Sequence, residues 1–356
     1  MKIDHVHFYT RNAARTRDWF IHNVGFQAIA RSINKHTHTE VIGLNSAFLV
    51  ISSPLNTTSS VAKYLEFHPS GIVDIAFRVD DLKSVVSQAK HLGVKILQHP
   101  QTYQSLPGKF KAAKITGWNF IQHTLIEATS DKFDYCLPDI DLEPCSLKAN
   151  FKTNITHIDH VVLNVAAGKL DSAVSLYQSL FGFKIQQSFN IQTEKSGLSS
   201  QALIDDSGEV QFNINQPTST NSQIQEFINL NGGSGIQHLA LRSQNLIADV
   251  ALMQPHLKFL TVPQSYYSLL KHKSWLSTQE WQAIANNQIL VDSDQGNLKH
   301  QPVAKSLLMQ IFTQPIFEQP TFFLEFIERR QEAKGFGQGN FKALFEAVER
   351  EQVKRV

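Results

Sequence analysis

The phrase IDHVHFYT at residues 3–10 returns as IDHVVLNV at 158–165, and this duplication constrains the fold more than any other feature of the chain. Each copy reads as a period-2 strand leading into a helix. In the first, AARTRDWFIHNVGF sets Trp19, Phe20 and Val24 on one helical face. In the second, GKLDSAVSLYQSLFGF brings Leu170, Val174, Tyr177 and Phe181 to helical spacing. Gly25 and Gly182 stand where a left-handed C-cap would end the two helices, and each precedes a phenylalanine and a new apolar run. The echo continues with SGIVDIAFRV (70–79) against SGIQHLALRS (234–243), and IQHTLIEA (121–128) against FFLEFIER (322–329). A repeat of about 150 residues exceeds the 20–50 of solenoid units. It predicts two copies of one α+β domain: a structural domain over 1–130, a Pro/Asp-rich linker over 131–155, and a catalytic domain over 156–356.

Composition narrows the function classes. A chain of 356 residues is long enough for two cores. A net charge of +2 with no long run of either sign carries no nucleic-acid footprint. No stretch approaches 18 consecutive apolar residues, so no membrane span is expected. No basic stretch followed by an apolar core opens the chain, so no secretory signal is expected. Cys136 and Cys145 are the only cysteines, which predicts plain thiols in a reducing cytoplasm.

Aligning the copies provides an internal control. The first carries His5, Asp74 and Thr124 where the second carries His160, His238 and Glu325. Only the second offers two imidazoles and a carboxylate, the facial set that leaves three positions of a metal open. Strand alternation puts Ile236, His238 and Ala240 on one face, and Phe323, Glu325 and Ile327 on another. A carboxylate flanked by Phe and Ile costs several kcal/mol if left unpaired, so either a metal or a buried Arg or Lys must satisfy it. Nitrogen and oxygen ligands without cysteine leave Fe(II), Mn(II), Ni(II) and Zn(II) open.

Other motifs read more blandly. His36 and His38 in KHTHTE have polar flanks and predict a solvated hairpin. His5, His7, His157 and His256 are assigned structural roles. GFGQGN (335–340) lacks the spacing of a dinucleotide loop, and its glycines predict a flexible bend. The following NFKALFEAVEREQ places Phe341, Leu344, Phe345 and Val348 on one helical face, suited equally to docking on the core or to covering a cleft.

IDHVVLNV, GIQHLAL, LLMQIFTQP, FFLEFIERR and above all GFGQGNFKALFEAVE resemble the 4-hydroxyphenylpyruvate dioxygenase family, strongly over 155–350 and weakly over 1–130. VQFNINQPT and SSQALI are most similar to its cyanobacterial branch. The resemblance implies a vicinal-oxygen-chelate fold of paired βαβββ modules, each domain an open half-barrel sheet, with a C-terminal lid helix. It implies Fe(II) held by His160, His238 and Glu325, a 2-oxo acid and O2 as reactants, homogentisate and CO2 as products, and a homo-oligomer. Gln237, Gln310 and Asn340 match the family's catalytic polar residues. Ser200, Asn215 and Gln223 match the groups at the substrate's phenol end, and Phe312, Phe323, Phe341 and Phe345 match its aromatic walls and lid. Many members carry proline where this chain has Asn213. Three rivals remain: a 4-hydroxymandelate synthase, which the resemblance disfavours through Asn215, Phe312 and Phe345; an extradiol catechol dioxygenase; and a metal-free binding protein of the same superfamily.

Overall fold

A computed structural model describes residues 1–105, 108–128, 136–138, 142–193, 196–270, 276–293, 306–331, 333–337, 339–340 and 343. The first copy builds nine strands: Lys2–Tyr9 (β1), Gln27–Ile33 (β2), Thr37–Leu44 (β3), Ala47–Pro54 (β4), Gly71–Arg78 (β5), Ile96–Ser105 (β6), Gly108–Thr116 (β7), Gln122–Ala128 (β8) and Glu143–Leu147 (β9). The second builds eight: Ile155–Asn164 (β10), Lys184–Gln192 (β11), Gly197–Ile204 (β12), Gln211–Pro217 (β13), Gly235–Ser243 (β14), Leu290–Ser293 (β15), Leu307–Phe312 (β16) and Phe323–Arg330 (β17). The sheet orders are β6-β7-β8-β5-β1-β4-β3-β2-β9 and β11-β12-β13-β10-β14-β17-β16-β15. Each copy is therefore a pair of βαβββ modules whose first strands, β1 with β5 and β10 with β14, run antiparallel at the centre. Each leading strand also pairs in parallel with the last strand of its own module, as a helical crossover permits.

The helices form where the periodicity places them. Ala13–Val24 starts at Asn12, whose side chain accepts from the Arg15 amide, and ends at Gly25 with φ 95°. Leu170–Phe181 ends at Gly182 with φ 73°. Both glycines occupy the left-handed region that a side chain would strain. Leu170, Val174 and Tyr177 are buried, with Phe181 packed alongside. One hydrophobic core runs through both copies. Across their junction Phe77 meets Phe181 at 5.2 Å, Phe8 meets Phe322 at 5.2 Å, and His123 Nε2 lies 3.1 Å from the Tyr177 hydroxyl.

Three expectations need refinement. The 131–155 segment is more than a tether, because β9 within it pairs antiparallel with β2 and closes the edge of the first sheet. Within KHTHTE, His36 is exposed, but His38 bonds Glu40, a buried carboxylate that also accepts from Arg17 at 2.6 Å. Ile236 does not share the face of His238. The β10/β14 register slips between Val162↔His238 and Leu163↔Ile236, leaving Gln237 bulged. Ile236 consequently enters the core, whereas His238 and Ala240 face away from it. Cys136 and Cys145 are free thiols, as expected. Among the described residues no helix is long and apolar enough to cross a membrane.

Candidate metal centre and its cleft

His160 lies on β10, His238 on β14 and Glu325 on β17, three strands adjacent in the sheet. Register rather than sequence proximity brings them together: His160 sits opposite Ala240, and Ala240 in turn opposite Glu325. Glu325 Oε2 lies 3.1 Å from His160 Nε2 and 3.5 Å from His238 Nε2, and all three side chains are buried. Cis ligands each about 2.1 Å from one ion lie roughly 3 Å apart, which the Glu325 contacts match, and the three donor atoms, all within 4.8 Å of one another, form a group that could hold a metal ion. Among the described residues, the ion-pair partners of Glu325 are these two histidines, not an arginine or lysine.

The far side of each ligand differs. A second slip, between Ile158 and His160, turns Asp159 to the same side as its neighbour. Asp159 Oδ1 then lies 2.9 Å from His160 Nδ1. Arg329 grips Asp159 with two donors, Nη2 to Oδ1 at 2.6 Å and Nε to Oδ2 at 2.8 Å. Burial opposes ionisation of Asp159, but Arg329 and His160 overcome it and hold the carboxyl well below its ordinary range. Glu325 follows the same logic: burial pushes up, the two histidines pull down, and the result is about 2. His160 is pushed up to about 9, because Glu325 and Asp159 outweigh its burial. His238 is lowered by burial, and its Nδ1 has no hydrogen-bond partner.

A cleft of roughly 600 Å³, counting the part open to solvent, opens from these ligands. Its aromatic wall is ordered around His238, with Phe323 stacked at 4.8 Å and Phe312 edge-on at 6.2 Å. Phe336 meets the His160 ring edge-on at 5.1 Å. Gln310 Nε2 donates to Glu325 Oε1 at 2.9 Å and to the Phe336 carbonyl at 3.0 Å, while its Oε1 accepts from Asn340 Nδ2 at 2.9 Å. The bulge at Gln237 sets that residue on the cleft wall beside His238. Ser200, Asn213, Asn215 and Gln223 also line the cleft. Ser200 and Asn215 are directly opposite on β12 and β13, and Asn215 Nδ2 donates to Asn164 Oδ1 at 3.2 Å.

Of the residues singled out by sequence, Ser200, Asn215, Gln223, Gln237, Gln310, Phe312 and Phe323 share the cleft with His160, His238 and Glu325. Asn340 reaches it through Gln310. Phe341 and Phe345 lie outside the described residues. The glycine segment differs from its expectation: Gly335 and Gly337 are buried at φ 83° and 74°, and Gln310 and Arg329 bond the backbone at Phe336 and Gly335. It is pinned rather than flexible, because its carbonyls satisfy buried donors. Sequence reading passed over Asp159, Arg329 and Phe336. For Asp159 a signal existed in the repeated IDH of both copies, but alternation alone would send it to the opposite face from His160.

The profile of the Glyoxalase/Bleomycin resistance protein/Dioxygenase superfamily matches residues 2–115 and 157–270. A 4-hydroxyphenylpyruvate dioxygenase from Yarrowia lipolytica is 34% identical over 376 residues, covering 99% of this chain and 92% of its own. The chain belongs to the 4-hydroxyphenylpyruvate dioxygenase family. As a member of that family it is a dioxygenase, in agreement with the resemblance. An uncharacterized protein from a Synechocystis strain is 34% identical over 354 residues, with 98% and 97% of the two chains covered, in keeping with the likeness to the cyanobacterial branch. A triple mutant of 4-hydroxymandelate synthase from Streptomyces coelicolor superposes with a TM-score of 0.87 at 26% identity, over 99% of this chain and 98% of that one. The 4-hydroxyphenylpyruvate dioxygenase family and its structural neighbour thus share the tandem half-barrel architecture seen here.

Proposed function

We propose that this dioxygenase binds Fe(II) through His160, His238 and Glu325 and converts 4-hydroxyphenylpyruvate and O2 to homogentisate and CO2. The observation that carries the reading is one largely apolar cleft that holds two sets of polar groups. One set is the converging His–His–Glu donors, and the other is Ser200, Asn213, Asn215 and Gln223. A substrate with a chelating 2-oxo acid, a flat ring and a phenol would use both sets and the aromatic wall.

Bound iron would supply chelation of the 2-oxo acid and activation of O2. The chain's own residues supply the rest. Phe312 and Phe323 flank the ring and limit its tilt. Ser200, Asn215 and Gln223 meet the phenol, whose burial without a partner would cost about 1–3 kcal/mol. Gln237 and Gln310 present amides beside the reacting carboxylate, and Gln310 keeps Glu325 oriented. Phe336 helps exclude water from the His160 side.

The structural likeness to the hydroxymandelate synthase mutant keeps that enzyme as the second reading, with attack on the side chain instead of the ring. A metal-free binding protein would have no use for a buried carboxylate that faces two imidazoles. Incubation with Fe(II), ascorbate, O2 and 4-hydroxyphenylpyruvate, with chromatography of the products, tests the proposal. Homogentisate supports it; hydroxymandelate selects the second reading; no turnover by the iron-loaded protein overturns both.

A further inference from the structure

Arg329 reaches in two directions. Its Nε and Nη2 hold Asp159, which holds the His160 ring, while its Nη1 donates to the carbonyls of Ala333 at 3.2 Å and Gly335 at 2.5 Å. The same backbone stretch continues through Phe336, whose carbonyl accepts from Gln310, to Asn340, whose amide nitrogen Nδ2 donates to Gln310. Gln310 in turn holds Glu325. Two of the three donor side chains are thus oriented by residues that also pin the strap Ala333–Gly337 and Asn340.

The first copy isolates what is special here. It keeps the inner part of the arrangement: His5 lies 2.6 Å from Asp4, and Arg78 Nε donates to Asp4 at 2.5 Å. Arg78 aligns with Arg242, not with Arg329, and Ala128 stands at the Arg329 position. There the returning chain meets the aspartate directly, with the Cys136 amide donating to Asp4 at 3.1 Å. An aspartate behind the histidine therefore belongs to the scaffold of both copies. In the copy with the donor triad a guanidinium, Arg329, bonds both the aspartate and the carbonyls of the strap.

We propose that Arg329 is a positioning residue that couples His160, through Asp159, to the Ala333–Gly337 strap, so that metal binding and ordering of this strap beside the cleft are one event. This rests on the metal assignment above. A ligand whose rear nitrogen is held by a carboxylate keeps one tautomer and one ring angle, and loss of such support typically weakens metal binding by about 10–100-fold. By linkage, whatever the strap adds to metal affinity the metal must return as protection of the strap.

The test measures Co(II) binding anaerobically by its absorption and, on the same samples, hydrogen exchange of strap peptides. In the wild-type protein, stoichiometric Co(II) is expected to slow strap exchange at least tenfold. Arg329→Met is expected to lower Co(II) affinity at least tenfold and to abolish that protection, with Arg329→Lys recovering part of both. Arg242→Met removes a cation beside Asp159 without touching the strap carbonyls, and is expected to change affinity less than threefold. If Arg329→Met does not fold, Arg329→Lys and the wild-type exchange data still decide. Wild-type strap exchange indifferent to bound Co(II) overturns the coupling, as does equal damage from Arg242→Met, which would make charge rather than linkage the cause. Failure of the wild-type protein to bind Co(II) at all overturns the metal assignment itself.

Discussion

The two copies share a strand order, a pair of bulges and an Asp-His step, yet they neutralise a buried carboxylate in opposite ways. In the first copy, Asp74 accepts from the Thr124 amide at 2.8 Å and hydroxyl at 2.6 Å, and Lys114 Nζ stands 3.0 Å away. Lys114 lies opposite Thr124 on β7/β8, as Phe312 lies opposite Glu325 on β16/β17. The lysine of one copy thus takes the place of the aromatic wall in the other. Its ammonium supplies the positive charge that a metal would supply to Glu325. Burial pushes His7 down to about 3 and His123 to about 4 in the first copy and lowers His238 in the second, whereas carboxylates lift His160 to about 9. A duplicated scaffold can hold buried polar groups either as a closed structural network or as open donors, and the choice rests on a few side chains that face the concave side of the sheet.

The sharpest way to break the comparison is to remove the acid that only the second copy has. Glu325→Ala is expected to eliminate stoichiometric metal and turnover while the circular dichroism spectrum stays unchanged; retained iron and activity would show that the triad is misassigned. The acid response of the first copy gives the next largest effect. His123 is neutral in the fold with a pKa near 4 against 6.5 for the free side chain, so its contribution is complete above pH 6.5 and is lost as pH falls toward 4. The difference amounts to about 3 kcal/mol. Urea denaturation at pH 7 and pH 4 should therefore show a smaller loss for His123→Leu than for the wild type, and identical losses would contradict the assignment.

Lys114→Met strands Asp74 and is expected to cost about 2 kcal/mol, less than a fully buried pair because the lysine is part-exposed. Measured by urea denaturation with turnover followed in parallel, it should lower stability and leave the per-iron rate intact. A changed rate would mean that the first copy takes part in chemistry. The smallest effect lies among the polar residues of the cleft wall. Asn215→Leu is expected to narrow the preference for 4-hydroxyphenylpyruvate over phenylpyruvate by about tenfold in kcat/KM. An unchanged ratio would move the phenol contact elsewhere, with Ser200 and Gln223 the next to test.

Much of this architecture was legible in the residues. The repeated phrases, the glycines after each first helix and the copy-to-copy exchange of Asp74 and Thr124 for His238 and Glu325 are local patterns, and local patterns survive without coordinates. The bulges were not legible, since alternation assumes an unbroken register and so assigned Ile236 to the face of His238. Neither was the Asp159–Arg329 pair, whose partners are 170 residues apart and meet only because β10, β14 and β17 are neighbours. The glycine segment read as loose because its glycines bring no side chain to pack, whereas the donors that pin it, Gln310 and Arg329, come from β16 and β17.

The linear chain by itself determined which donors exist and that only one half of the duplication possesses them, because side-chain chemistry and periodicity are properties of neighbouring residues. Their convergence was decided by the sheet: cross-strand register, with bulges at Asp159 and Gln237 in its central ladder, turns His160, Gln237 and His238 toward one cleft and sets Asp159 behind His160. Register depends on pairing between distant strands, and no single stretch of sequence contains it.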